Sequence, residues 1–199
     1  MKTKTFAKEG YFQLFLVAVV LLLISCDSNP KTEDTKDIAT EQNDAKFDDK
    51  EAQNDAEFLV NAAEINLEEI QLSHLAQTKG NSTHVKELGM LLESSHTKIL
   101  SELKSMAQSK VISIPTSETE NAQKAYKQLN EESAGNFDKS YADMMVEKHK
   151  DAIAVFEKAS TNCNDIDIKN WATQTLPEIR THFDNALICQ KKSDQMHGK

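Results

Sequence analysis

The chain has 199 residues and a formal net charge of −9, with 23 Lys and Arg against 32 Asp and Glu. An acidic surface of this kind is repelled by phosphate backbones and argues against nucleic acid as a partner. Five glycines, three prolines and 6% aromatic residues disfavour a turn-rich β fold and suit long helices.

Residues 1–25 read as an export signal. Lys2, Lys4 and Lys8 form a basic start, and Leu14 to Ile24 an apolar run of 11 residues. That run is too short for a hydrocarbon core that needs about 20. Leu23-Ile24-Ser25-Cys26 resembles the bacterial lipobox. The resemblance implies cleavage before Cys26, lipidation of Cys26, and attachment to a membrane of the cell envelope, at the outer membrane or a periplasmic face. A multiply acylated cysteine gives stable anchoring without a transmembrane helix. Residues 1–25 carry three lysines and Glu9, net +2, so the remainder carries about −11. From Asp27 to about Gln53 the chain is polar, with Ile38 and Phe47 its main apolar residues. Residues 26–53 are therefore expected to be the lipidated cysteine and a disordered acidic tether.

Residues 54–192 have the length of one domain. The first helix is expected from about Asp55 to Lys79, with a capping box at Asn54 and Glu57 and a stop at Gly80. Phe58, Ala62, Ile65, Glu69, Leu72 and Ala76 share its inner face. The second runs from about Ser82 to Ser109, with Val85, Leu88, Leu92, His96, Ile99, Leu103 and Met106 in its seam. A short helix follows from Ser117, capped through Glu120, to about Asn130, and Gly135 breaks the pattern. The third long helix spans about Phe137 to Ser160, with Phe137, Tyr141, Met145, His149, Ala152, Phe156 and Ala159 on one face. The fourth spans about Asp165 to Gln190, capped by Asn164, with Ile168, Ala172, Thr175, Ile179, His182, Ala186 and Cys189 inside. Pro177 is expected to kink it. Residues 193–199 are a tail. Four amphipathic helices, each burying one face, specify an all-α four-helix bundle. The connection between helices two and three, which holds the short helix, is long enough to run the length of the bundle and leave those helices parallel.

Each seam contains one ionisable residue: Glu69, His96, His149 and His182. They lie about two, one, zero and four residues from the helix midpoints, so all fall within about 6 Å of one central layer. Neutral imidazole and carboxylate ligate Zn, Cu, Fe and Ni, and a bound ion offsets the cost of burying them. The alternative is a structural or protein-interaction module in which a metal-free, hydrogen-bonded polar layer only fixes helix register. Glu93, three residues before His96, has the Glu-x-x-His spacing of di-iron bundles, but the spacing does not recur. Glu157 and Glu178 are further candidates for support around the layer. His74, His84 and His197 read as surface residues.

Several of these segments resemble one family: Ala62-Ala63, Glu69-Ile70-Gln71-Leu72-Ser73-His74-Leu75-Ala76, the His96 helix, Phe137-Asp138-Lys139-Ser140-Tyr141, Val146 to His149, Phe156-Glu157, and Leu176-Pro177 to His182. They are similar to the exported bacterial family called domain of unknown function 4142, over about residues 55–190. The resemblance implies a ferritin-like bundle and an envelope location. The family typically has Asp before its first two histidines, whereas Ser95 and Lys148 stand there in this chain. If those aspartates orient imidazoles, that support is missing here.

Cys163 and Cys189 lie at opposite ends of the fourth helix, about 36 Å apart, and are expected as two thiols rather than a bridge. No phosphate-binding glycine loop, nucleophile elbow or zinc-protease motif occurs. The chain is read as a binding or structural protein rather than an enzyme.

Overall fold

The computed structural model describes residues 34–197; the expected signal peptide, Cys26 and the first part of the expected tether lie outside the described residues. Six helices make up the described chain: α1 (Thr35–Lys46), α2 (Lys50–Lys79), α3 (Thr83–Ser109), α4 (Glu120–Asn130), α5 (Ala134–Asn162) and α6 (Ile166–His197). Among the described residues none is long and apolar enough to cross a membrane.

The four long helices bury the seams that their spacing dictates. Every seam residue named above on α5 and α6 is buried, as are those on α3 except Met106, which is partly covered. On α2, Ile65 is only half-buried and Asn66 takes the inner position beside it.

Polar contacts at the bundle ends fix the topology. Asp138 of α5 accepts from the backbone N–H groups of Asn81 and Ser82, both at 2.8 Å, and so holds the α2–α3 turn. Asp55 of α2 accepts from Asn164 and Asp165 N–H at 3.0 and 2.7 Å and holds the α5–α6 turn. Hence α2 and α5 run antiparallel. Lys110, just past α3, pairs with Asp165 and Asp167 at 2.5 and 2.9 Å at the start of α6. His84, at the start of α3, meets Ser193 near the end of α6 at 3.0 Å. So α3 and α6 are antiparallel, and α3 and α5 are parallel. The connection between those two returns along the bundle with α4 packed on α2, the arrangement of a bundle with one long crossover. The two aspartate latches are also related in sequence. The offset from Asp55 to Asp138 is 83 residues, the same as from Asn81 to Asn164 and from Ser82 to Asp165. The hairpins α2–α3 and α5–α6 are thus equivalent units, each latching the turn of the other.

Several boundaries differ from the sequence reading. Residues 35–46 are helix, not disordered tether, and Lys50 to Gln53 begin α2. Almost no apolar burial marks α1, which is why composition hides it. It is held by polar contacts instead. Asn43 clasps Ser113 in both directions at 2.8 Å, and Lys36 pairs with Glu64 at 2.5 Å. The Glu64 carboxylate also accepts from Thr119 and Asn121 at 2.9 and 3.0 Å, tying α1 and α4 to α2. The capping box at Asn54 does not form. Asp49 caps α2 earlier by accepting from Ala52 N–H, and Thr119 rather than Ser117 caps α4. Asp165, not Asn164, caps α6, accepting from Asp167 and Ile168 N–H. Gly135 sits in the first turn of α5 rather than breaking the chain. Helix α6 continues through the expected tail to His197, where buried Ser193 and the Lys139–Asp194 pair at 2.7 Å hold its last turns.

Candidate metal centre

Two apolar clusters fill the bundle. One is built on Phe58, Phe156 and Trp171 near the start of α6, and the other on Leu72, Leu88, Phe137 and Tyr141 toward its end. Between them lies a polar layer supplied by α2 (Asn66, Glu69), α3 (His96), α5 (His149) and α6 (His182). Glu69, His96, His149 and His182 are 1%, 0%, 0% and 3% exposed, so every polar atom here must find a partner inside the protein.

The three histidines converge. One nitrogen from each lies within 4.8 Å of the other two, and the ring centroids are 5.0 to 5.5 Å apart. Their protonation follows from their surroundings. Burial holds the His96 pKa well below its ordinary value, and the His149 and His182 rings add to this. Burial pulls His149 down to about 4, against the Met145 carbonyl, which raises it. Burial also lowers His182, opposed by the charge of Glu178. All three rings are neutral at pH 7.

The tautomers of two rings follow from their neighbours. Asn66 donates its amide N–H to the Ala62 carbonyl at 2.7 Å, which leaves its oxygen turned to His96 Nδ1 at 2.9 Å. His96 therefore carries its proton on Nδ1. His149 Nδ1 donates to the Met145 carbonyl at 2.9 Å. Both Nε2 atoms are then bare lone pairs, and they face each other at 3.4 Å. Two nitrogens bound to one tetrahedral ion at about 2.05 Å stand about 3.3 Å apart. The pair is spaced for a shared electrophile, and His182, whose Nδ1 has no hydrogen-bond partner, supplies a third nitrogen.

Glu69 does not join the three converging nitrogens. It lies behind His149, with Oε1 at 3.7 Å from Nδ1, and neither carboxylate oxygen has a hydrogen-bond partner. Burial pushes its pKa up to about 8, with Lys148 lowering it and Glu68 raising it. With no ion bound beside it, the carboxyl is neutral at pH 7. A carboxyl behind a ligating imidazole is placed to ionise as counter-charge to an ion on the far side of the ring. The hydroxyls of Ser73 and Tyr141 are likewise buried, and they face each other.

The remaining sequence candidates lie outside this layer. Glu93 turns to the α2–α3 flank, accepting from Gln77 and lying 3.5 Å from exposed His74. Glu157 pairs with Arg180 at 2.7 Å on the surface. Glu178 is half-buried at the α3–α6 seam, where it accepts from Ser95. Lys148 pairs with Glu68 at 2.6 Å. The imidazoles are oriented by Asn66 and the Met145 carbonyl, so Ser95 and Lys148 are not needed for that task. Asn66 was missed from sequence, although a polar, poor helix former one turn before Glu69 was the available signal. Cys163 and Cys189 are separate buried thiols, pushed up to about 12 and about 11 by burial, and neither is a thiolate at pH 7.

A family model described as domain of unknown function (DUF4142) matches residues 39–187, a span that encloses the whole polar layer. No curated protein and no solved structure matches the chain.

Proposed function

Starting from the premise that the chain belongs to the domain of unknown function 4142 family, we propose that it is a metal-binding protein of the bacterial cell envelope. A single transition-metal ion is held in the bundle core by His96, His149 and His182, with Glu69 as buried counter-charge. The reading places the domain on a membrane through lipid on Cys26, supported by the basic start, short apolar run and Leu23-Ile24-Ser25-Cys26 of the sequence. Three neutral imidazoles suit Zn, Cu, Fe or Ni rather than Mg or Ca, which take oxygen ligands. Such a site sequesters or buffers a metal.

One observation carries this reading: the two unprotonated Nε2 atoms of His96 and His149 at 3.4 Å. A register-setting layer accounts for the Nδ1 hydrogen bonds. It leaves the facing lone pairs, Glu69 and His182 Nδ1 without partners, a costly arrangement at full burial. Thermal unfolding of residues 27–199 separates the two readings. Zn²⁺ at about 100 times its Kd stabilises the folded chain by about 2.7 kcal/mol. The shift should vanish in His149→Ala. Melting that no metal among Zn, Cu, Fe and Ni alters, in a folded wild type, favours the structural module.

A further inference from the structure

The ion must reach a buried layer, and the four flanks of the bundle are not closed alike. On α2 the outer surface is covered by α1 and α4. The α2–α5 flank is shut beside the layer by Lys148 and Glu68 at 2.6 Å, both largely covered. Arg180 neutralises Glu157 at the α5–α6 flank. Glu93 is engaged by Gln77 and His74 at the α2–α3 flank. The α3–α6 seam differs. Glu178 accepts there from the Ser95 hydroxyl, and among the described residues no cation pairs with it.

Resting on the metal reading above, we propose that the ion enters through the α3–α6 seam. Glu178 is its first ligand and hands it to His182, and the Ser95–Glu178 hydrogen bond is the latch that closes the path. Glu178 and His182 are four residues apart on α6 and so share a face. Ser95 directly precedes His96. A single neutral donor is displaced when a cation captures Glu178, whereas the other flanks require breaking an ion pair or an amide contact. Pro177 adjoins Glu178 and has no N–H for the Thr173 carbonyl, so this turn lacks one backbone hydrogen bond. Beyond the seam, His182 offers a buried Nδ1 with no partner.

Co²⁺ serves as the probe, because its visible absorption reports ligation as it forms. Stopped-flow mixing of the chain with Co²⁺ gives the association rate. A focused negative site raises such rates by about tenfold or more, so Glu178→Gln should slow uptake by about tenfold at low salt. Glu178→Asp should restore most of it. Glu157→Gln, a carboxylate on another flank, should leave the rate at the wild-type value. Ser95→Ala should speed both uptake and release by removing the latch. Wild-type uptake rates in Glu178→Gln, an equal slowing in Glu157→Gln, or unchanged rates in Ser95→Ala would overturn the assignment. A wild type that binds no Co²⁺ at equilibrium fails the metal reading itself, an outcome separate from any change in rate.

Discussion

Replacing Glu69 by Gln removes a buried group that titrates near neutral pH and keeps its shape. The folded carboxyl titrates at about 8 against a model value of 4.5, so the native state holds a proton that the unfolded chain has released. Its contribution to stability is therefore fully present below about pH 4.5 and is lost as pH rises through 8. The core histidines act oppositely. Their folded pKa values are lowered, so their contribution is lost only on acidification below 6.5. Between pH 6.5 and 8 the unfolded histidines finish releasing their protons, a gain common to wild type and Glu69→Gln, so the difference between the two proteins reports Glu69 alone. At 1.36 kcal/mol per unit, and allowing for half-titration at pH 8, the metal-free wild type should lose about 1.5 kcal/mol across this window relative to Glu69→Gln. For a domain of this size that is about 3–6 °C in Tm. Urea unfolding in the presence of a chelator, at pH 6.5 and pH 8, measures it. Glu69→Gln should lack this loss, keep the rise in stability that the histidines give, and be the more stable protein at pH 8. Equal pH slopes for wild type and variant would show that the carboxyl is not held neutral by burial, and the counter-charge argument would fail with it.

Three further outcomes follow from particular contacts. Asn66→Ala leaves His96 Nδ1 without its acceptor and should weaken metal affinity by about 10–100-fold in a titration while the fold persists; unchanged affinity would remove Asn66 from the site. Val111 occupies the left-handed position after α3, at φ 56, where the Ile112 N–H to Ala107 carbonyl bond at 2.8 Å closes the helix end. A β-branched side chain is strained there, and this one is 67% exposed, so Val111→Gly should stabilise by about 0.5–1 kcal/mol in chemical unfolding; a loss would contradict the strain. Asp138→Ala and Asp55→Ala should each cost about 2 kcal/mol, because each carboxylate accepts two backbone N–H groups at the opposite hairpin's turn; a neutral result at either would break their equivalence.

The bundle was legible because apolar residues repeat at helical spacing on α3, α5 and α6, and burial follows that spacing directly. Helix α2 was less so. It is covered by α1 and α4 as well as by the bundle, so its buried set, including Asn66, exceeds one stripe. Helix α1 escaped because Asn43, Lys36 and Asp34 hold it by hydrogen bonds and charge, and composition does not record which polar residues find partners. The three histidines could be placed in one layer from helix midpoints alone. Which side of His149 faces Glu69 could not, since that depends on ring orientation set by the Met145 carbonyl, a backbone atom with no signature in the sequence.

Metal content tests the central claim most directly. Residues 27–199, made without a histidine tag and purified from metal-replete medium, would be assayed by elemental analysis beside a variant with His96→Ala, His149→Ala and His182→Ala. The account predicts about one transition-metal ion per chain in the wild type and none in the variant. A folded wild type that holds no metal, even after Zn, Cu, Fe and Ni are added, would contradict it and leave the polar layer as a device for helix register.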